Sequence, residues 1–450
     1  MKAYRWLSVA IISLTLIFIV AITVINKSKV SVNLRKFPYP YRAALTICSD
    51  IDSIETVEEF LSIHEFLNTE RVTRFGKGLN LEIGDTFWMY SNNIRSNQFT
   101  YFEGLTDRRS SSAKVIEQFA KAGYLDALHT FGDFSNYGGF KRELAEKAIK
   151  ELKKREIKVH IWVNHGDIYN TQSMNNGKSN HKGANTSATE YHADITIPYG
   201  MKFLWVTELT RIVGQDRKVE LSDLVHYDWK SPIKTDKEII KAYVGEITIS
   251  TINSGNKLLR IYELDDGQLV YIFKRFNNYQ GNIWKGASLK YLKNQISKDV
   301  LEKLKNKEGY MIVYNHLTED DLLDKDTISA LRYLANENKK GEIYISTTYK
   351  LLNYNLIHNN LVYTTIDDGK DVTILINNIN DKVFGQFKPT IRDLQGLTFY
   401  VPDDVKVKVV SRDFGPINVK NTLPILQEKL VYPSHWCPST ILSDYGCSFF

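Results

Sequence analysis

Residues 43–52 read Ala43-Ala44-Leu45-Thr46-Ile47-Cys48-Ser49-Asp50-Ile51-Asp52. An apolar run without polar alternation, followed by two carboxylates one residue apart, is the pattern of a buried strand leaving a parallel sheet. The same form returns along the chain. Residues 127–131 carry His129, with Asp133 just beyond; residues 159–163 run into Asn164-His165-Gly166-Asp167; residues 310–314 run into Asn315-His316. Further short apolar runs lie at 79–83 and 202–207. Between them stand amphipathic stretches. Residues 55–67 place Thr56 and Glu59 at capping-box spacing, 110–122 open on three serines and close on Gly123, and 140–156 are dense in Lys, Glu, Ala and Leu. Residues 300–305 and 327–335 supply later helices. Such alternation predicts an α/β fold with parallel strands, a barrel or a doubly wound sheet.

Two stretches break the alternation. Residues 167–200, rich in Asn, Ser, Thr and Gly, read as a long loop, and 245–276 read as strands with a hairpin at Asp265-Asp266-Gly267. Together they suggest a β-rich insertion over about 167–300. After residue 356 the helical signal vanishes, and alternating runs between Asp-, Gly- and Pro-containing turns predict a small β-sandwich over 356–450. The α/β domain is then 37–355.

The 450 residues are 43% hydrophobic and 24% charged, a globular composition. The net charge of +6 comes from 58 Lys+Arg against 52 Asp+Glu, but Lys2, Arg5, Lys27, Lys29, Arg35 and Lys36 stand in the first 36 residues, which hold no acid. Removing these six leaves residues 37–450 neutral, so composition gives no sign of a nucleic-acid binder. The six basic residues flank a charge-free segment, 6–25, whose twenty residues would make a helix about 30 Å long, the thickness of a bilayer core. The expectation is an N-terminal membrane anchor over 1–36 and a single-pass membrane protein. Flanking charge favours a cytoplasmic body, whereas a short N-tail commonly stays inside while the rest is exported. Of three cysteines, Cys48 reads as a buried small hydrophobe; Cys437 and Cys447 are spaced either to bridge or to remain free thiols.

The polar residues at strand ends carry the functional reading. Active sites of parallel α/β barrels gather at the C-terminal ends of strands. One Asp suffices to cap a following helix; two on one face repel unless a cation or proton lies between them. His129 alone reads as a core histidine, and His129 with Asp133 as a shared ligand site. His64 reads as a packing or surface residue, and His181 and His192 in the long loop as residues able to touch substrate.

This arrangement resembles the polysaccharide deacetylases. Their Thr-Phe-Asp-Asp motif is similar to Thr46-Ile47-Cys48-Ser49-Asp50-Ile51-Asp52 in a spread form. Their His-Ser/Thr-x-x-His motif is similar to His129-Thr130-Phe131-Gly132-Asp133, with Asp133 replacing the second histidine. Residues 310–316, with the helix and strand expected after them, are similar to the last motif. The family's Arg-Pro motif is absent; Trp162-Val163-Asn164-His165-Gly166-Asp167 stands in its place. The resemblance covers roughly 40–355. It implies a distorted parallel (β/α) barrel, Asp50 as general base and His316 as general acid. It also implies a divalent metal, zinc first, on Asp52, His129 and either Asp133 or His165. Trp88, Tyr90, Trp162 and Asn164 are the expected sugar contacts, with Trp205 a further aromatic for stacking.

The implied activity is deacetylation of an envelope or extracellular polysaccharide, which places the catalytic domain on the exported side and leaves the C-terminal β-domain for glycan or an envelope protein partner. The rival readings are a glycoside hydrolase on the same barrel class and a polysaccharide-binding protein without activity.

Overall fold

The computed structural model describes residues 31–92, 99–135, 137–165, 168–174, 180–220, 223, 255–279, 289–318, 324–368 and 371–421, and the backbone of 428–433. The chain divides into two compact units. Among the described residues, one comprises 37–359 with 381–385; the other comprises 31–36, 360–380 and 386–433.

The first unit is mixed α/β. Its main strands are β1 (Ala43–Ser49), β2 (Asp85–Phe87), β3 (Leu125–His129), β4 (Ile161–Val163), β5 (Phe203–Trp205), β6 (Leu209–Thr210), β7 (Leu259–Glu263), β8 (Leu269–Phe273), β9 (Arg275–Phe276), β10 (Tyr310–Asn315) and β11 (Ile343–Ile345). A six-stranded sheet runs β7-β8-β5-β4-β3-β2 and a five-stranded sheet runs β6-β9-β10-β1-β11. Every neighbour pair is parallel except the β7–β8 hairpin, which turns at Gly267 with φ 82°. Lone Lys274 separates β8 from β9, so the chain passes there from one sheet to the other. Among the described residues no strand pairing joins the two sheets into a closed barrel.

All seven residues of β1 are buried, which is why its sequence shows no alternation. Helix α1 (Val57–Asn68) starts where the capping-box spacing placed it: the Thr56 hydroxyl accepts the Glu59 N–H and the Glu59 carboxylate accepts the Glu55 N–H. It buries Phe60, Ile63, Phe66 and Leu67. Helix α2 (Ala113–Ala122) ends on Gly123 at φ 83°, and α3 (Arg142–Lys154) buries Ala145, Ala148, Ile149 and Leu152. Helices α4 (Ala193–Tyr199), α5 (Leu289–Gln295), α6 (Lys298–Asn306), α7 (Lys325–Lys339) and α8 (Thr348–Asn360) complete the unit.

Three expectations need revision here. The strand expected at 79–83 begins instead at Asp85, since Leu79, Leu81 and Ile83 bury their side chains from irregular backbone. The strand expected to close the motif that begins at 310–316 is only the short β11 before α8 begins, and α8 receives the Asp126 carboxylate at its N-terminal Tyr349 N–H. The expected insertion also contains framework: β5 lies inside the six-stranded sheet and β6 and β9 extend the five-stranded one. Residues 246–252, expected as a strand, lie outside the described residues.

The second unit holds two β-sheets. Leu361–Asp367 pairs antiparallel with Asp371–Asp381, which pairs in parallel with Lys406–Ser411. Asn33–Arg35, Thr398–Pro402, Glu428–Pro433 and Val419–Asn421 form the other sheet.

The expectation of a single-pass membrane protein is corrected. Among the described residues no helix is long and apolar enough to cross a membrane. The 6–25 segment that prompted it lies outside the described residues, as do Cys437 and Cys447; Cys48 is buried and free.

Candidate metal and acid–base site

Register builds the site. In the parallel β1–β10 pair, Cys48 lies opposite Tyr314 and Ser49 opposite Asn315, so the next residues, Asp50 and His316, leave the sheet side by side. The Asp50 N–H continues the ladder to the Asn315 carbonyl at 3.0 Å. In the other sheet His129 is the last residue of β3, level with Val163 at the end of β4, and His165 follows two residues later.

Asp52, His129 and His165 converge. His129 Nδ1 lies 3.0 Å from Asp52 Oδ1 and 3.3 Å from Asp50 Oδ1, and His165 Nε2 lies 3.6 Å from Asp52 Oδ2. These three side chains can present ligand atoms within 4.8 Å of one another. A tetrahedral ion with bonds of 2.0–2.2 Å separates its ligands by about 3.4 Å, close to these spacings. His129 Nδ1 supplies a second sign of fit, because it is buried and makes no well-directed hydrogen bond. Two imidazoles and a carboxylate suit zinc and also ferrous iron.

Electrostatics support a cation here. Burial by itself lowers the His129 pKa, but Asp50, Asp52 and Asp133 outweigh it and raise the imidazole to about 9. Burial by itself raises the Asp52 pKa, but His129 and His165 hold it well below the usual carboxylate range. The Asp52 side chain keeps 31% exposure, giving the site an opening to solvent.

Asp50, Asp52 and His316 form a second set of suitable spacing. The Tyr314 hydroxyl, however, stands between two of its members. It donates to Asp50 Oδ2 at 3.0 Å and lies 2.8 Å from His316 Nε2, whereas that nitrogen is 3.9 Å from the same carboxylate oxygen. This second set is bridged by a protein hydroxyl, and the ion position is better formed on the first.

Asp133 belongs to neither set. After β3, Thr130 turns the chain with φ 50°, and Gly132–Asp133 pair with Tyr90–Ser91 in a separate short ladder. Asp133 Oδ1 accepts the Ser135 N–H at 2.8 Å, and the charge of the carboxylate helps to raise the His129 pKa.

The expected sugar contacts are corrected as well. Trp88, Tyr90 and Trp162 are fully buried core residues. Trp88 packs its ring on the His129 imidazole at 5.3 Å, which orients that imidazole, and Trp162 donates its indole N–H to Asn164 Oδ1. Asn164 also accepts the Met174 N–H and donates to the Met174 carbonyl, so its amide ties a loop down. Trp205 is buried against Arg275 and Tyr314. His192 is buried between Thr196 and the Gln172 carbonyl and pushed down to about 4 by burial, and His181 is buried too. Of the two readings of His64 the structure takes the first: it is a buried packing residue set among Phe60 and Phe119.

The exposed apolar residues following the site strands were missed. Tyr137 (39% exposed), Ile168 (65%) and Tyr169 (45%) sit in the loops after Asp133 and His165. The two loops are tied together by Asn170, which accepts the Phe134 N–H and donates to the Ser135 hydroxyl and His165 Nδ1. Their signal in sequence is an aromatic residue in a loop directly after a strand that ends in a histidine. No family model, curated protein or solved structure matches the chain.

Proposed function

We propose that the protein is a metal-dependent hydrolase that removes acetyl groups from the sugars of a polysaccharide, on a distorted (β/α) barrel of the polysaccharide-deacetylase type. The observation that carries the reading is the convergence of Asp52, His129 and His165 beside a separately held acid–base pair, Asp50 and His316. A bound divalent ion, zinc by preference, would supply Lewis-acid chemistry, acidifying water and polarising an acyl carbonyl.

The chain's own groups do the rest. Asp50, nearly buried and held by Tyr314 and Thr86, accepts a proton from attacking water. His316, partly exposed beside it, protonates the departing nitrogen or oxygen. Tyr137, Ile168 and Tyr169 offer exposed apolar faces for a sugar ring. A glycosidase would need two carboxylates set across a sugar ring about 5–10 Å apart. Asp50 and Asp52 instead share one imidazole nitrogen, which favours the deacetylase.

The test is metal analysis of the purified chain together with acetate release from an N-acetylated chito-oligosaccharide and an O-acetylated sugar. Stoichiometric metal, lost with acetate release in His129→Ala, is expected. A metal-free chain that cleaves glycosidic bonds, or one that binds glycan and turns over neither substrate, would overturn the reading.

A further inference from the structure

Strand register explains an unassigned residue. Tyr314 stands opposite Cys48 in the parallel β1–β10 pair, one step of the two-residue repeat below His316, just as Cys48 is one step below Asp50. A small side chain at 314 would stop short of the layer above. The tyrosine ring spans the step and delivers its hydroxyl between the base and the acid, 3.0 Å from Asp50 Oδ2 and 2.8 Å from His316 Nε2. Those two atoms are 3.9 Å apart, too far for a direct hydrogen bond. The ring itself is held by the buried Arg275 guanidinium, 4.7 Å from its centroid, and by the edge-on indole of Trp205 at 5.3 Å. Such a clamp leaves the hydroxyl little freedom.

We propose that the Tyr314 hydroxyl is a proton relay from Asp50 to His316. The inference rests on the hydrolase reading above and adds the route by which its base and acid communicate. When Asp50 has taken a proton from attacking water, its O–H donates to the Tyr314 oxygen. That O–H bond breaks as a new one forms on Tyr314, while the original Tyr314 proton moves to His316 Nε2. The tautomer of His316 with its proton on Nδ1 accepts it, and the imidazole becomes an imidazolium. One of its two protons then goes to the departing nitrogen or oxygen, so the proton taken from water is matched by one given to the leaving group. Tyr314 begins and ends as a neutral phenol, and no redox partner is needed.

A relay to the acid matters only where the leaving group needs a proton. The test compares an N-acetylated chito-oligosaccharide, whose amine is a poor leaving group, with an aryl acetate, whose phenolate leaves unaided. Tyr314→Phe keeps the ring and its packing, and its fold and metal content are checked by thermal melting and metal analysis. Expected is a fall in kcat of about 10–100-fold on the amide with KM unchanged, and a much smaller fall on the aryl ester, which loses only the hydrogen bond that holds Asp50. The loss should be no larger when His316→Ala is added to Tyr314→Phe, because both changes interrupt one path. Equal losses on both substrates, an unchanged kcat on the amide, or additive losses in the double variant would overturn the relay. A wild-type chain that hydrolyses neither substrate would overturn the hydrolase reading itself, which separates the two failures.

Discussion

Asp126 shows how one buried carboxyl can shape the stability of this chain. It lies in β3 behind the site, where burial pushes it up to about 7 against the lowering effect of the hydrogen bond from the Tyr349 N–H. The native state therefore holds a proton that the unfolded chain releases near pH 4. The stability this provides is fully present below pH 4 and is lost as pH rises through about 7, a change on the order of 4 kcal/mol. Asp126→Asn keeps the acceptor for Tyr349 and should flatten that decline. Urea unfolding of both proteins at pH 5 and pH 8 reads the difference, and an undiminished fall in the variant would refute it. At this scale sequence located Asp50, Asp52, His129, His165 and His316. It could not separate exposed aromatics from core ones, because Trp and Tyr serve both environments and only tertiary packing assigns them.

Gly132 shows at the scale of elements why spacing misled. A ligand pair with three residues between its members fits a helix or a simple turn, and His129 and Asp133 have that spacing. Here β3 ends at His129, the β-branched Thr130 adopts a left-handed conformation, and the next residues join a different ladder. Gly132 permits this: a Cβ there would lie 2.3 Å from the Tyr90 carbonyl oxygen and 2.7 Å from its carbon. Gly132→Ala must push two backbones apart and should cost about 1–3 kcal/mol of stability. Metal affinity should fall as well, because the displaced turn begins at His129. Thermal melting and metal titration check both effects; a variant with wild-type melting and affinity would show that the ladder adjusts without cost. Helix starts and stops were more legible, since Thr56, Glu59 and Gly123 act within one turn of their own backbone.

Metal binding would register on the whole molecule. The Asp52, His129 and His165 set draws on three strand ends distant in sequence, so it exists only in the folded chain. An ion at 100 times its dissociation constant should then add about 2.7 kcal/mol to stability. The melting temperature of the wild type should rise with zinc, whereas Asp52→Asn should gain much less; equal rises would place the ion elsewhere. Local sequence determined that buried strands alternate with amphipathic helices, where several helices begin and end, and that acids and imidazoles crowd the strand ends. These features depend on periodicity and on caps that act over a few residues. Tertiary structure alone decided that His165 rather than Asp133 joins His129, that strands of the expected insertion belong to the two main sheets, and that Tyr314 reaches Asp50 across 264 positions of chain and so bridges it to His316. Periodicity states which face a residue occupies but not which strand will lie beside it, and that pairing is set by how the whole core packs.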